Sequence, residues 1–432
     1  MNEMASSNID SLADVGGMKK RFDTFAFDGK VFFQLKILPL LIVFMGFVAM
    51  SPVLAHFGWR GVFSLAILVS VSLVFLFSTS LKLKSWFVYL TLLILISSSI
   101  TALYWGDIRY VFANVFLIGV LFLLQFSTMQ IINKAVDIGS ILLFIVAIGA
   151  VIGFVFAFIG LNPNWSFPRP GSGGVQTIQL YGTTLTNAWW GNIIRPAGIY
   201  DEPGALSLYI CAIAAMRHML GKNNKLTWSL LILGFVTLSL AHLIYVFFHF
   251  MAERLTKRNL ISFVFIFSTA TGVAFITDFN TVIEEKLLQR LVISEETGSI
   301  EGDNRSFRMF NAIELIQSDS KIIFFGGDPS CRFDYNVCKI LFPPIGENPL
   351  TPLFSNGLFV TWPFYLTILI LFISPVFGRK YFVSFGFGLL LLQRPEMLAM
   401  SGAMISTIII LLTILSVKKH LSTPKINFVS QI

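Results

Sequence analysis

Charge is scarce in this 432-residue chain: only 12% of it is Asp, Glu, Lys or Arg, about half the share of an ordinary soluble domain. No water-soluble fold is expected from that balance. Cysteine is scarcer still, at three residues, which excludes a disulfide-built scaffold. The polar loops contain no glycine-rich nucleotide loop, no HExxH, no GxSxG elbow and no DxD. The usual ATP-driven and metal-driven chemistries are thereby excluded, and neither a cofactor nor a metal is expected. No internal repeat of the kind that builds many transporters is evident. Low-complexity sequence is confined to Gly171-Ser172-Gly173-Gly174.

Apolar residues are what the chain has in quantity, at 55% with a mean hydropathy of +0.78. A crossing of roughly 30 Å of hydrocarbon takes about 20 of them. Apolar runs of that order lie near 37–55, 62–80, 85–104, 109–127, 138–160, 204–220, 259–277, 355–376, 381–397 and 400–417. The expected fold is an all-α polytopic membrane protein with about 12 transmembrane segments, including a short-helix hairpin, and two large periplasmic loops. By residue number the divisions are a cytoplasmic tail over 1–32, spans one to five over 33–160 and a first outer loop over 161–203. Further spans with a hairpin at 226–254 fill 204–277, a second outer loop covers 278–352, the last three spans 353–418, and a second tail 419–432. The segment ahead of the first apolar run is polar and basic at Lys19-Lys20-Arg21, unlike a cleaved signal peptide.

Basic residues collect on the cytoplasmic side of membrane proteins. That rule accounts for the net charge of +8 without a nucleic-acid partner. Lys82, Lys84, Lys134, Arg217, Lys222 and Lys225 mark inner turns. The segment from Leu226 to Arg254 is then basic at both ends. One helix of about 43 Å cannot return to the side it left, so a hairpin bending near Thr237, Ser239 and His242 is expected. Non-helical backbone at that depth must be buried in protein or line a wet cavity. With the hairpin, residues 278–352 fall outside; they hold twelve acids and seven bases, a net of −5. Cys331 and Cys338 lie there, either bridged in an oxidising compartment or as two nearby thiols.

The loops offer arginine, whose planar fork matches phosphate oxygens and keeps its charge. Arg169 and Arg195 are in the first loop; Arg290, Arg305, Arg308 and Arg332 are in the second. Arg305 and Arg308, spaced three apart, share a helix face and suit either phosphate binding or pairing with Asp303. Arg290 also reads as a solvated surface residue. Asp201 and Glu202 precede Pro203, a favoured first helical residue, so capping explains them. A carboxylate at that outer helix end, beside Tyr200 and an arginine, can equally orient or deprotonate a hydroxyl. His242 is either an interhelical hydrogen bonder or a functional group inside the membrane. Arg394 and Glu396 can pair with each other. Trp165, Trp189, Trp190 and Tyr181 suit sugar stacking or interfacial anchoring.

Four stretches taken together, RPAGIYDEPGALS, TLSLAH, NRSFRMFNAIELIQSDSKIIFFGGDPS and ENPLTPLFSNGLFVTWPFYL, resemble the O-antigen polymerase and ligase superfamily. The resemblance covers about residues 190 to 375, and the arginine followed by Gly and Glu-Pro is its most telling part. It implies a metal-independent inner-membrane glycosyltransferase of lipopolysaccharide biosynthesis that uses undecaprenyl-diphosphate-linked oligosaccharide at the periplasmic face. Membrane lipid surrounds such a protein, and a chain-length-regulating membrane protein is a candidate partner. Carried over, Arg195 and either Arg305 or Arg308 become diphosphate contacts, with Arg169, Arg290, Arg394 and Tyr200 as further substrate-binding candidates; Glu202 and His242 become catalytic candidates. An Arg-to-Gly spacing of ten residues, found in some polymerases, is missed by one between Arg290 and Gly302. Polymerase activity is the leading expectation. Ligation of finished glycan to lipid A core and non-enzymatic flipping of lipid-linked glycan are the alternatives.

Overall fold

The computed structural model describes residues 36–49, 51–56, 83–171, 174–190, 193–253, 304–329, 348–395 and 397–422. The expected spans at 62–80 and 259–277, the first tail and most of the second loop, with Arg290, Arg332, Cys331 and Cys338, lie outside the described residues. In chain order the described helices are α1 (Leu38–Val43), α2 (Pro52–His56), α3 (Ser85–Trp105), α4 (Val115–Gln125) and α5 (Met129–Phe158). After the first loop come α6 (Pro203–Met219), α7 (Asn224–Gly234) and α8 (Leu240–Ala252). Then follow α9 (Asn304–Ser318), α10 (Lys321–Phe325), α11 (Thr351–Asn356), α12 (Leu358–Ile373), α13 (Phe382–Gln393) and α14 (Met400–Ser422).

Five segments are long and apolar enough to cross a membrane: Ser85–Trp105, Ile108–Gln125, Met129–Phe158, Leu358–Phe377 and Met400–Ser422. This is a multi-pass membrane protein by helix length and composition. Large apolar side chains such as Leu93, Ile96, Leu103, Ile141 and Ile145 are more than half exposed, as lipid-facing positions are. α5 starts nine residues ahead of its expected span because Thr128 caps it, accepting from the Ile131 amide. At about 45 Å it outreaches the hydrocarbon, and its first turns carry Asp137, paired with Lys222 at 2.7 Å.

α6 is the axis of the bundle. From Pro203 to Arg217 every residue but Gly204 is buried, and α5, α7, α8, α13 and α14 pack around it. Its Ala, Ser and Cys side chains let those neighbours approach closely, which lipid-immersed helices require because no aqueous hydrophobic force assembles them. Arg217, one of the expected inner marks, is 4% exposed. Its guanidinium donates to Thr227 Oγ1, Ser140 Oγ and the Asn223 carbonyl, tying the end of α6 to α5 and α7.

Between 226 and 253 the chain bends. α7 and α8, of 11 and 13 residues, are each too short to cross alone. They are joined by a 3-10 turn at Phe235–Thr237 and by Leu238 with φ of 49°, the one non-glycine residue with positive φ among the described residues.

The first polar loop departs from the all-α expectation. β1 (Trp165–Gly171), β2 (Gly174–Tyr181) and β3 (Thr184–Thr186) form an antiparallel meander, and β4 (Trp189–Trp190) pairs with β5 (Ile193–Ile194). Val175, Thr177, Ile178 and Tyr181 are residues that fit a pleated surface. Phe167, Ile178 and Leu185 are buried beneath the meander. It sits on α5 where two glycines one turn apart leave room: Thr183 Oγ1 donates to the Gly149 carbonyl at 2.7 Å, and a Cβ on Gly153 would lie 2.2 Å from Thr184 Cγ2.

Two further sequence stretches meet backbone to backbone. Gly326 has φ of 76° and Gly357 φ of 72°, and a Cβ on Gly357 would lie 2.5 Å from the Gly326 nitrogen. The Gly327 amide donates to the Phe354 carbonyl at 2.6 Å. Phe325 stacks on Tyr104 at 3.9 Å, and its carbonyl accepts from Trp105 Nε1. The chain thus closes on itself at the junction of α3, α10 and α12.

Candidate functional site

The returning strand of the first loop delivers Arg195. Its amide donates to Ala188 and its carbonyl accepts from Thr186 Oγ1 at 2.7 Å, so the backbone is held on both sides. The side chain, half-buried, turns to the hairpin: Nε donates to the Thr237 carbonyl and Nη2 to the Leu238 carbonyl, each at 3.2 Å. Those carbonyls belong to the non-helical bend. A cation with several donors satisfies them where water is excluded.

Eight residues on, the chain enters α6. Glu202 is the N-cap by backbone conformation but makes no side-chain cap bond; its carboxylate instead takes a hydrogen bond from Arg394 Nη2, an ion pair across 192 positions of sequence. The Arg394 side chain is 7% exposed and that of Glu202 38%. A buried guanidinium with a carboxylate that reaches solvent is one pair with two faces. Removing the acid strands a buried charge, and the acid's open side remains available to another hydroxyl. Gly204 brings the start of α6 against the same guanidinium, since a Cβ there would lie 3.4 Å from Arg394 Nη2.

His242 lies within the bundle and is fully buried. Nε2 donates to the Leu231 carbonyl at 2.7 Å, which leaves Nδ1 as acceptor. The Ser207 hydroxyl lies 3.3 Å from Nδ1 and Cys211 Sγ 3.4 Å from it. The imidazole therefore joins α6, α7 and α8, the interhelical alternative for this residue. Gly234 makes room for it: a Cβ there would lie 2.2 Å from His242 Cε1.

Tyr200 is also buried, its hydroxyl donating to the Phe47 carbonyl at 2.9 Å and its ring stacked on Tyr209 at 4.3 Å. It braces the π-helical turn after α1, Phe44–Val48, against α6 and does not line a surface. Arg169 lies on β1 opposite Gln176, and Arg305 and Arg308 lie in the first turns of α9; their side chains are outside the described ones. Trp189 is 38% exposed, whereas Trp165 packs on Phe167 and His56.

Glu202 and Arg394 thus meet at the start of α6, and Arg195 is tied to the bend, which packs on α6 as well. The expected Arg394 partner was Glu396, which lies outside the described residues; the Glu202 partnership has no local spacing that would announce it. Sequence reading also passed over the Thr237 and Leu238 carbonyls and Gly234. A glycine eight residues before an intramembrane histidine was the available signal. No protein-family model, curated protein or solved structure matches this chain.

Proposed function

We propose that this chain is a glycosyltransferase of the bacterial inner membrane. It polymerises polysaccharide by moving a glycan from undecaprenyl diphosphate onto the next lipid-linked repeat unit at the periplasmic face. The observation that carries the reading is the Arg394–Glu202 pair at the head of α6, with Arg195 pinned to the bend that packs on the same helix. A lipid diphosphate needs fixed cationic donors, and an attacking sugar hydroxyl needs a carboxylate with an open side.

In this reading the acceptor hydroxyl forms its bond to the donor's anomeric carbon as the bond to the diphosphate oxygen breaks. The electron pair leaves on undecaprenyl diphosphate, and the hydroxyl proton passes to Glu202. Arg195, with Arg305 or Arg308 from the second loop, offsets the charge that grows on the leaving group. Such donors typically contribute about 100- to 1000-fold in rate. His242 acts as a positioning residue: it sets α7 and α8, and through the bend it sets Arg195.

Purified protein in liposomes with lipid-linked repeat units tests this. Glu202→Gln, which keeps the side chain's shape, and Arg195→Ala are each expected to lower the polymerisation rate by about 100-fold or more, with folding monitored by thermal unfolding. Polymer formed undiminished by Arg195→Ala, Arg305→Ala and Arg308→Ala combined overturns the electrostatic account. Transfer to lipid A core in place of chain growth would make the protein a ligase. Transbilayer movement of glycan with no new glycosidic bond would make it a flippase.

A further inference from the structure

At the end of α6 and α8 remote from Glu202, a second group of titratable side chains takes no part in this chemistry. His218 in the last turn of α6, His249 in α8 and Glu253 just beyond α8 each offer one ligand atom, and the three atoms lie within 4.8 Å of one another. His249 is fully buried, and its Nε2 makes no hydrogen bond. That atom lies 3.8 Å from Glu253 Oε1. A buried nitrogen without a hydrogen-bond partner is destabilising, so the arrangement is incomplete as it stands.

We propose that His218, His249 and Glu253 bind a divalent transition ion of the zinc type. Two imidazoles and a carboxylate are a donor set for zinc, with one position left for water. His249 and Glu253 are four residues apart, the spacing that puts two ligands on one helical face, and His218 supplies the third from a different helix. Partners behind the ligands are already in place: Tyr245 Oη lies 3.4 Å from His249 Nδ1, and Trp228 Nε1 donates to Glu253 Oε1 at 3.0 Å. Such contacts fix a histidine's tautomer and a carboxylate's direction in metal sites. Zinc–ligand bonds of about 2.0–2.2 Å require the three atoms to close in by about an ångström. Glu253, past the helix end, can supply that movement. Lys380 lies within electrostatic range of His218, and its amine is engaged by Ser416 Oγ at 2.7 Å. The ion would staple α6 to α8 opposite the bend, whatever substrate the chain handles.

The test uses the full chain purified without a histidine tag, stripped by chelator and re-equilibrated with Zn²⁺ or Co²⁺. The wild type is expected to retain a single ion through gel filtration, to show the visible absorption of tetrahedral cobalt, and to unfold at a higher temperature with metal than without. Glu253→Gln, close in shape to the original, and His249→Ala are expected to weaken retention by at least about 10-fold. His56→Ala, at the remote sheet, should leave it unchanged. A wild type that retains no ion, or a folded Glu253→Gln variant with wild-type retention and cobalt spectrum, overturns the proposal.

Discussion

Gly234 and His242 occupy one space between α7 and α8, and neither has latitude. A methyl group at 234 would fall inside the imidazole, so Gly234→Ala must push the ring off the Leu231 carbonyl or part the two helices. Overpacking of this kind costs about 1–3 kcal/mol, and thermal unfolding in detergent should register it. Because the two residues touch, the cost should be non-additive: Gly234→Ala combined with His242→Ala is expected to lose less than the two changes separately. The pairing explains what could be read at this scale. A histidine near the centre of an apolar run announces itself, and both of its readings are available. The choice between them depends on Ser207 and Cys211, 35 and 31 positions away, and on a glycine whose importance lies in what it lacks.

At the scale of elements, the bend was legible because it follows from a conflict between charge and parity and needs no contact information. Arg217 shows the limit of that method: it counts as an inner charge, yet it is a buried tie between three helices. The strands of the first loop carry no such signal, since Gly171 and Gly174, which end β1 and begin β2, stand in a stretch of low complexity. One residue of the bend carries a testable strain. Leu238, at φ of 49°, occupies a region that costs an L-residue about 1–2 kcal/mol. Leu238→Gly relieves it and is expected to hold or raise the unfolding temperature. Leu238→Ile, branched at Cβ, should lower it by several degrees. A variant pair ranked the other way would mean that side-chain packing outweighs backbone conformation here.

For the whole molecule, the membrane character follows from composition, while sidedness follows from the charge rule. On the charge rule the hairpin would put the first loop and residues 278–352 on one side, and the proposed active site depends on that. Single cysteines placed in a Cys-less chain by Asn187→Cys and Asn280→Cys should react with an impermeant maleimide added outside intact cells. Lys222→Cys should react only after permeabilisation. Labelling of position 280 from the inside would separate Arg305 and Arg308 from Arg195 and remove the polymerase reading. What the sequence left unread at this scale is long-range by nature: the ion pair that joins α6 to the end of α13 spans 192 residues, and no periodicity encodes it.

The contact between Gly326 and Gly357 closes a ring in the chain, with thirty residues between the two glycines. Closing a longer ring costs only about 0.6 kcal/mol per doubling of its length. Residues inserted between the two glycines are therefore expected to leave the junction of α3, α10 and α12 in place.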